Sequence, residues 1–198
     1  MRKFNLFLGV AVMATMLFTA CGGNTPTVDE GVVINGVKWA TRNVDSFGKF
    51  AEKPESSGMF YQWNRPTAWA ATGSVTGWDN EFISDKTWET TNDPCPAGWR
   101  VPTKAELEGL GTGTWTIQNG VNGRQFGTKP NQIFLPAAGH RSFNDGKLNR
   151  VGENGGYWSS TEQGSYDIDA YCLGFGSSAF GFSAYDKRFG MSVRCVAK

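Results

Sequence analysis

The sequence predicts one β-rich domain of short strands and tight turns, with one short helix. The chain contains 26 Gly, 8 Trp, 5 Tyr and 14 Phe, and this composition favours strands joined by turns over long helices. Asn-Gly and Asp-Gly dipeptides, which suit two-residue hairpin turns, occur at 35–36, 119–120, 122–123, 145–146 and 154–155. The roughly 165 residues that follow the leader and tether described below are enough for one domain with a sizeable core.

Residues 1–20 are predicted to be a secretory signal peptide. Two basic residues precede a mostly apolar run over 4–18, which is shorter than the roughly 20 residues of a membrane-spanning helix. Residues 17–21, Leu-Phe-Thr-Ala-Cys, resemble a bacterial lipobox, so Cys21 is the predicted lipid attachment site. An ordinary cleaved signal with Cys21 as a bystander is the alternative.

A lipidated Cys21 would tether the domain to a bacterial membrane outside the cytoplasm. We expect an outer-membrane lipoprotein of the cell envelope, with the periplasmic or surface face left open. Residues 21–31 are polar and aperiodic, as suits a tether, and residues 32–198 are the predicted domain. The chain has 19 Lys and Arg against 18 Asp and Glu, and removal of two basic leader residues leaves a net charge of −1. This balance gives no reason to expect nucleic acid as a partner.

Alternating or apolar runs predict strands at 32–34, 37–40, 133–135, 171–175 and 192–196. A helix is predicted at 103–110, because Thr103 and Glu106 have the spacing of a capping box. Leu107 and Leu110 give this helix a narrow apolar face, and Gly109 and Gly111 end it after about two turns.

Three cysteines remain after Cys21, and outside the cytoplasm a pair of them can oxidise. Of the three possible pairings we favour Cys95 with Cys195. Cys95 lies in a stiff Pro-Cys-Pro segment before the helix, and Cys195 lies in the last predicted strand. Cys172 would then be a buried free thiol.

Six segments resemble, in the same order, those of one known domain family. They lie at 36–44, 58–63, 93–103, 134–139, 157–160 and 192–196. Their sequences, which include Val-Lys-Trp-Ala-Thr-Arg-Asn-Val and Asp-Pro-Cys-Pro-Ala-Gly-Trp-Arg-Val-Pro-Thr, resemble those of the Fibrobacter succinogenes major paralogous domain. That family occurs largely in lipoproteins and secreted proteins of gut-type and related bacteria, and its molecular function is mostly unassigned.

The resemblance also implies a fold. Residues 99–106 and 193–196 look like segments of the wider C-type-lectin-like fold, which includes the formylglycine-generating enzymes. We therefore expect an α+β, C-type-lectin-like fold, with an irregular antiparallel sheet, one or two short helices and long loops that carry any recognition.

The sequence offers little catalytic or metal-binding chemistry. Cys172 and Cys195 do not reproduce the paired active-site cysteines of formylglycine-generating enzymes. His140, the single histidine, follows Ala-Ala-Gly and is interpreted as a surface or loop residue rather than the base of a nucleophile. Residues 129–131 read Lys-Pro-Asn where a calcium lectin has Glu-Pro-Asn. We therefore predict no catalytic residue, no metal and no cofactor.

Three carboxylates allow an alternative to this prediction, in which the protein binds a cation or cleaves a glycosidic bond. If residues 167–169 form a strand, Asp167 and Asp169 face one side, with Glu162 just upstream. Such acids could bind Ca²⁺ or act on a glycosidic bond, although a solvated strand edge is the more common interpretation.

Aromatic loops are the richest remaining feature of the sequence. Exposed rings beside short polar groups suit sugar stacking or a protein contact. Trp63 is assigned to the core because it follows an apolar run, and a second loop at 176–188 could face the same side as the first. The predicted ligand-binding residues are Trp69, Trp78, Asp79, Tyr185 and Arg188.

We therefore expect a non-enzymatic, lipid-anchored binding or adhesion module of the cell envelope that recognises glycan or a surface protein through aromatic loops. One alternative is an envelope carbohydrate-active enzyme that uses the paired carboxylates. Another is a structural subunit of a surface appendage.

Overall fold

A computed structural model describes residues 28–165 and 167–198. The predicted signal peptide, Cys21 and most of the predicted tether lie outside the described residues. Within the described part, no helix has the length and apolar character needed to cross a membrane.

The described residues form short strands with little helix. The strands are β1 (Val32–Ile34), β2 (Val37–Trp39), β3 (Trp99–Arg100), β4 (Thr114–Gln118), β5 (Val121–Thr128), β6 (Asn131–Pro136), β7 (His140–Arg141), β8 (Leu148–Asn149), β9 (Gly155–Glu162), β10 (Asp169–Phe175), β11 (Phe180–Asp186) and β12 (Val196–Ala197). Helix α1 covers Lys104–Gly109, and a 3-10 turn covers Thr90–Asn92.

The strands build several small antiparallel sheets. Their orders are β1-β2-β12-β3, β11-β10-β9, β4-β5-β6 and β7-β8. The last strand, β12, lies between β2 and β3, so the two ends of the described chain meet in one sheet. Helix α1 packs near β9 and β10.

The predicted α+β class is wrong, because the described chain is mostly β. Its α-helix has six residues, and no second α-helix occurs in the described ranges. The capping signal is real, but the apolar residues Leu107 and Leu110 are followed at once by Gly111, whose φ of +73° ends the helical backbone. Elsewhere the turn-rich sequence provides no helical periodicity long enough to bury a helix face.

The predicted capping box is confirmed. The Thr103 hydroxyl accepts from the Glu106 amide at 3.2 Å, and Glu106 Oε2 accepts from the Thr103 amide at 2.8 Å. Arg100 donates to both Glu106 oxygens, at 2.8 and 2.6 Å. The Arg100 guanidinium, together with the Thr103 donors, lowers the pKa of Glu106 to about 2.

Two of the five turn dipeptides form the predicted two-residue hairpins. Asn35-Gly36 joins β1 to β2, and Asn119-Gly120 joins β4 to β5, with positive φ at all four residues. Asn122-Gly123 instead lies inside β5, where a Cβ on Gly123 would come within 2.4 Å of the Leu135 carbonyl oxygen. That glycine serves close packing rather than a turn.

The predicted disulfide between Cys95 and Cys195 is confirmed, with an S–S distance of 2.04 Å. Cys172 is free and buried, also as predicted. Trp63 is completely buried, in a cluster that includes both disulfide cysteines and Trp158. The disulfide therefore joins the Pro-Cys-Pro segment to the centre of the core.

The folded part begins earlier than predicted. Asp29, placed in the tether by the sequence, is buried and accepts from the Gly31 amide at 3.0 Å and from Arg42 Nε at 3.2 Å. It also accepts from the amide and hydroxyl of Thr41. A carboxylate with this many donors is fixed in place, so residues 29–31 belong to the domain.

Candidate ligand-binding surface

One surface of the domain collects aromatic rings around an arginine. The residues come from three separate parts of the chain: the long loop before β3, the turn between β7 and β8, and the segment at the end of β11. We call this group the aromatic surface, and its members are Trp78, Phe82, Phe143, Tyr185, Arg188 and Phe189.

Phe189 occupies the middle of the aromatic surface. Its ring centroid lies 5.2 Å from that of Phe143 and 5.6 Å from that of Tyr185. His140 contacts the same ring, with 5.6 Å between centroids. The edge-on and tilted arrangements are those that aromatic pairs prefer, so Phe189 connects rings contributed by two distant parts of the sequence.

The Arg188 guanidinium stacks on two rings of the surface. Its Cζ lies 4.3 Å from the Phe82 centroid and 5.0 Å from the Phe143 centroid. Asp186 accepts from Arg188 Nε at 2.9 Å and from Nη2 at 2.6 Å, and Nη1 donates to the Asn80 carbonyl at 3.1 Å. The charge is balanced by this carboxylate, and the side chain is locked in one orientation.

Trp78 is held against the backbone at one edge of the surface. Its Nε1 donates to the Phe143 carbonyl at 3.1 Å. A Cβ on Gly146 or Gly190 would come within 2.6 or 2.8 Å of the Trp78 ring, so both positions need glycine for the ring to fit. Trp78 is half-buried.

The prediction that Trp69 is exposed is wrong, since 8% of it is accessible. Reciprocal backbone hydrogen bonds of 2.8 and 2.9 Å join Trp69 to Phe60 and draw the side chain inward. Its ring centroid lies 4.7 Å from that of Trp78. Trp69 therefore supports Trp78 from the interior instead of meeting a ligand.

The other predicted residues do meet. Asp79 is half-buried, and its carbonyl accepts from Gln62 Nε2 at 2.5 Å, while the same amide donates to the Arg188 carbonyl at 3.0 Å. Gln62 thus joins the loop of Trp78 to the end of β11. The structure brings Trp78, Asp79, Tyr185 and Arg188 to one surface, as the sequence suggested for the two loops.

Sequence reasoning missed the support beneath this surface. Arg141 is completely buried, and it donates to the carbonyls of Ala70, Thr72 and Gly73 and to the Gly146 carbonyl. A buried arginine that binds four carbonyls fixes the loops on both sides of Trp78. Its position directly after the single histidine was visible in the sequence, but Ala70, Thr72 and Gly73 are about 70 residues away and leave no local signal.

A cleft adjoins the aromatic surface and shares Tyr185 with it. Its volume is about 350 Å³. His140 lies in β7, is half-buried and lines this cleft. Burial, and secondarily the charge of Arg150, lowers the pKa of His140, so the imidazole is neutral near pH 7.

The three carboxylates do not form the predicted face. Asp167 lies in a turn rather than a strand, is exposed, and pairs with Lys86 at 3.2 Å. Asp169 stands opposite Asp186 in the β10–β11 ladder, and burial followed by this like charge raises its pKa. Glu162 is engaged by a buried lysine at 3.4 Å. The prediction that Asp167 and Asp169 share one strand face is therefore wrong.

Part of the chain is similar to a known family model. A model described as a domain of unknown function (DUF8237) matches residues 115–196, which include Phe143, Tyr185 and Arg188 but not the loop of Trp78 and Phe82. No curated protein and no solved structure matches the chain.

Proposed function

We propose that this protein is a non-enzymatic binding module of the bacterial cell envelope that recognises a glycan through the aromatic surface. The observation that carries the proposal is the arginine stacked between rings at an open surface. Phe82 is 69% exposed and Tyr185 is 41% exposed, and both lie in the group of rings that surrounds Arg188. Flat rings bind the apolar faces of sugars, while neighbouring polar groups orient the hydroxyls.

The surface is also rigid, which favours binding. Arg141, Gln62 and Asp186 fix the loops and the Arg188 side chain in the free protein. A preorganised site loses little conformational entropy when it binds, so more of the contact energy appears as affinity. Partly buried hydrogen bonds to charged groups are also costly to break, so we expect the aromatic surface to keep its shape whether or not a ligand is bound.

The envelope location rests on the sequence. The signal peptide, the lipobox ending at Cys21 and the resemblance to the Fibrobacter succinogenes major paralogous domain all support export and lipid anchoring. In this proposal the lipid holds the domain at the outer membrane, and the aromatic surface meets glycan outside the cytoplasm.

The carboxylates support no second function. Asp167 forms an exposed ion pair with Lys86, and Glu162 pairs with the buried Lys187. The lining of the cleft beside the aromatic surface contains no Asp or Glu.

A glycan array tests the proposal. The chain from residue 22 retains every described residue, and it would be compared with Phe82→Ala and Tyr185→Ala, which remove exposed rings without opening the core. Ile117→Ala is a matched control, because Ile117 is 65% exposed and lies on β4 outside the aromatic surface. We expect both ring variants to weaken glycan binding by about tenfold, about 1.4 kcal/mol, and the control to bind normally.

Two outcomes would contradict the proposal. One is the absence of any bound glycan, and the other is glycan binding that is equal in all four proteins. Capture of an envelope protein that depends on the same rings, without any glycan, would assign the aromatic surface to a protein partner instead.

A further inference from the structure

The floor of the cleft beside the aromatic surface includes a row of three glycines. Gly156 on β9, Gly174 on β10 and Gly181 on β11 stand directly opposite one another in the sheet. All three line the cleft of about 350 Å³. A row of three glycines exposes flat peptide backbone across the full width of the sheet.

Packing accounts for Gly156, where a Cβ would come within 3.3 Å of Met191 Sδ, but it does not explain the other two glycines. A Cβ on Gly181 would meet nothing within 4 Å, and one on Gly174 would meet only the Gly181 carbonyl oxygen at 3.9 Å. Neither residue has a positive φ, so another residue could adopt the same backbone. Glycine in a strand interior costs stability and often marks a place where a ligand approaches the backbone closely.

The rim of the cleft is polar and carries one full positive charge. His140, Arg150, Asn154, Ser183 and Tyr185 line it. The Arg150 side chain is 63% exposed, and its pair with Glu153 is long, at 3.5 Å. Exposed pairs of this kind contribute little, so the guanidinium can exchange that partner for a ligand.

The charge and size of the cleft limit the ligand. Its volume lies near the lower end of the roughly 300–1,000 Å³ range of small-molecule sites. A single guanidinium matches a planar carboxylate with one negative charge and can bind it through two parallel hydrogen bonds. The neutral imidazole of His140 and the amide of Asn154 offer donors and acceptors suited to hydroxyl groups.

We propose that the cleft binds a hexuronate, a sugar ring that carries a carboxylate, at one end of the glycan. The ring lies on the floor of Gly156, Gly174 and Gly181, and its carboxylate pairs with Arg150. Tyr185 belongs to both the cleft and the aromatic surface, so a longer glycan passes continuously from one to the other. This inference rests on the proposed function and adds the chemical class of the sugar.

The test compares two probes that differ only at C6. Methyl β-D-glucuronide carries a carboxylate where methyl β-D-glucoside carries a hydroxymethyl group. Each would be titrated into the chain from residue 22 and followed by NMR chemical shifts. We expect the glucuronide to bind at least tenfold more tightly, with shifts at the three floor glycines.

Variants locate the site. Arg150→Gln should bring the two probes within about threefold of each other, since it removes the charge that tells them apart. Gly181→Leu should fill the cleft and abolish binding of both probes. Gly164→Leu is the matched control, because Gly164 lies in an exposed turn with nothing within 4 Å of a Cβ, and it should bind normally. Gly181→Ala should weaken binding of both probes by a smaller factor, and it replaces Gly181→Leu as the test if leucine disturbs the fold.

The outcomes separate the two proposals. Equal affinity for the two probes, or glucuronide binding that Gly181→Leu leaves intact, overturns the hexuronate site. If array glycans still bind and still require Phe82, the proposed function stands without it. If no glycan binds at all, both proposals fail.

Discussion

Lys187 is a completely buried lysine that ties the loop of the aromatic surface to the sheet. Its Nζ donates to the carbonyls of Asp85 and Asp167, at 2.7 and 2.5 Å. It also pairs with Glu162 at 3.4 Å and lies 4.9 Å from the centroid of the Trp63 ring. The accessible fraction of the Lys187 side chain is 0%, so its ammonium group is shielded from water.

Substitution Lys187→Met keeps the length of the side chain and removes its charge and donors. Two carbonyls and the Glu162 carboxylate then lose their partner. Breaking a buried ion pair by removing one member costs about 3–5 kcal/mol. Because 15% of the Glu162 side chain reaches solvent and can hydrate, we expect a loss near the lower end, about 3 kcal/mol. For a domain of this size that lowers Tm by about 6–12 °C.

Lys86→Met is the matched control. Lys86 pairs with Asp167 at 3.2 Å, but the two side chains are 68% and 63% exposed. An exposed pair contributes less than about 1 kcal/mol. Urea unfolding followed by tryptophan fluorescence measures both variants. Amide hydrogen exchange in residues 79–88 should also accelerate in Lys187→Met alone, because Asp85 is released.

A free energy of unfolding for Lys187→Met within 1 kcal/mol of the wild type, or no lower than that of Lys86→Met, would contradict this prediction. Either result would mean that the buried lysine adds nothing beyond a surface pair.

Three further predictions concern the framework. Replacing Cys95 and Cys195 by serine opens a disulfide with a sequence separation of 100 and should cost about 4.7 kcal/mol in urea unfolding, whereas a loss below 1 kcal/mol would contradict the entropic account. The pKa of Glu106 is lowered from 4.5 to about 2, chiefly by Arg100. The stabilisation that the Glu106 carboxylate provides is therefore complete above pH 4.5 and is lost as pH falls toward 2. Glu106→Gln should flatten the pH dependence of the urea unfolding midpoint between pH 4.5 and 2. Burial raises the pKa of the Cys172 thiol to about 12, so mass spectrometry should find it unmodified by iodoacetamide until the protein unfolds, and rapid native labelling would show that it is accessible.

Features set by neighbouring residues could be predicted from the sequence. The capping box of Thr103 and Glu106 needs only a three-residue spacing, and the Asn35-Gly36 hairpin needs only its own backbone preference. The predicted α+β fold class was wrong for a related reason. The helix signal was local and correct, but how far a helix extends depends on apolar residues farther along, and here Gly111 follows too soon.

The candidate surface was only partly predictable. The sequence suggested Trp78, Tyr185 and Arg188 because they lie in loops beside small polar residues. It could not show that Phe189 joins Tyr185 to Phe143 in the turn between β7 and β8, since the contact depends on how the strands pair. The same limit explains Trp69, whose Ala and Gly neighbours suggested exposure although pairing with a distant strand-like segment buries it.

The segments that resemble the Fibrobacter succinogenes major paralogous domain stabilise the core of this chain. Arg194, in the last of them, is completely buried and donates to Asn43 Oδ1 at 3.0 and 2.7 Å. It also donates to the Phe134 carbonyl at 3.0 Å, so three of the similar segments meet around one guanidinium.

Desolvation lowers the pKa of Arg194 to about 10, yet the side chain stays charged at neutral pH, and its hydrogen bonds compensate for burial. A residue of this kind is needed for the framework whichever ligand is bound. Phe82 and the loop around it lie outside both the similar segments and the matched region 115–196. In this chain the buried framework and the exposed ring of Phe82 therefore come from different segments, and we expect Phe82→Ala to weaken ligand binding without destabilising the framework.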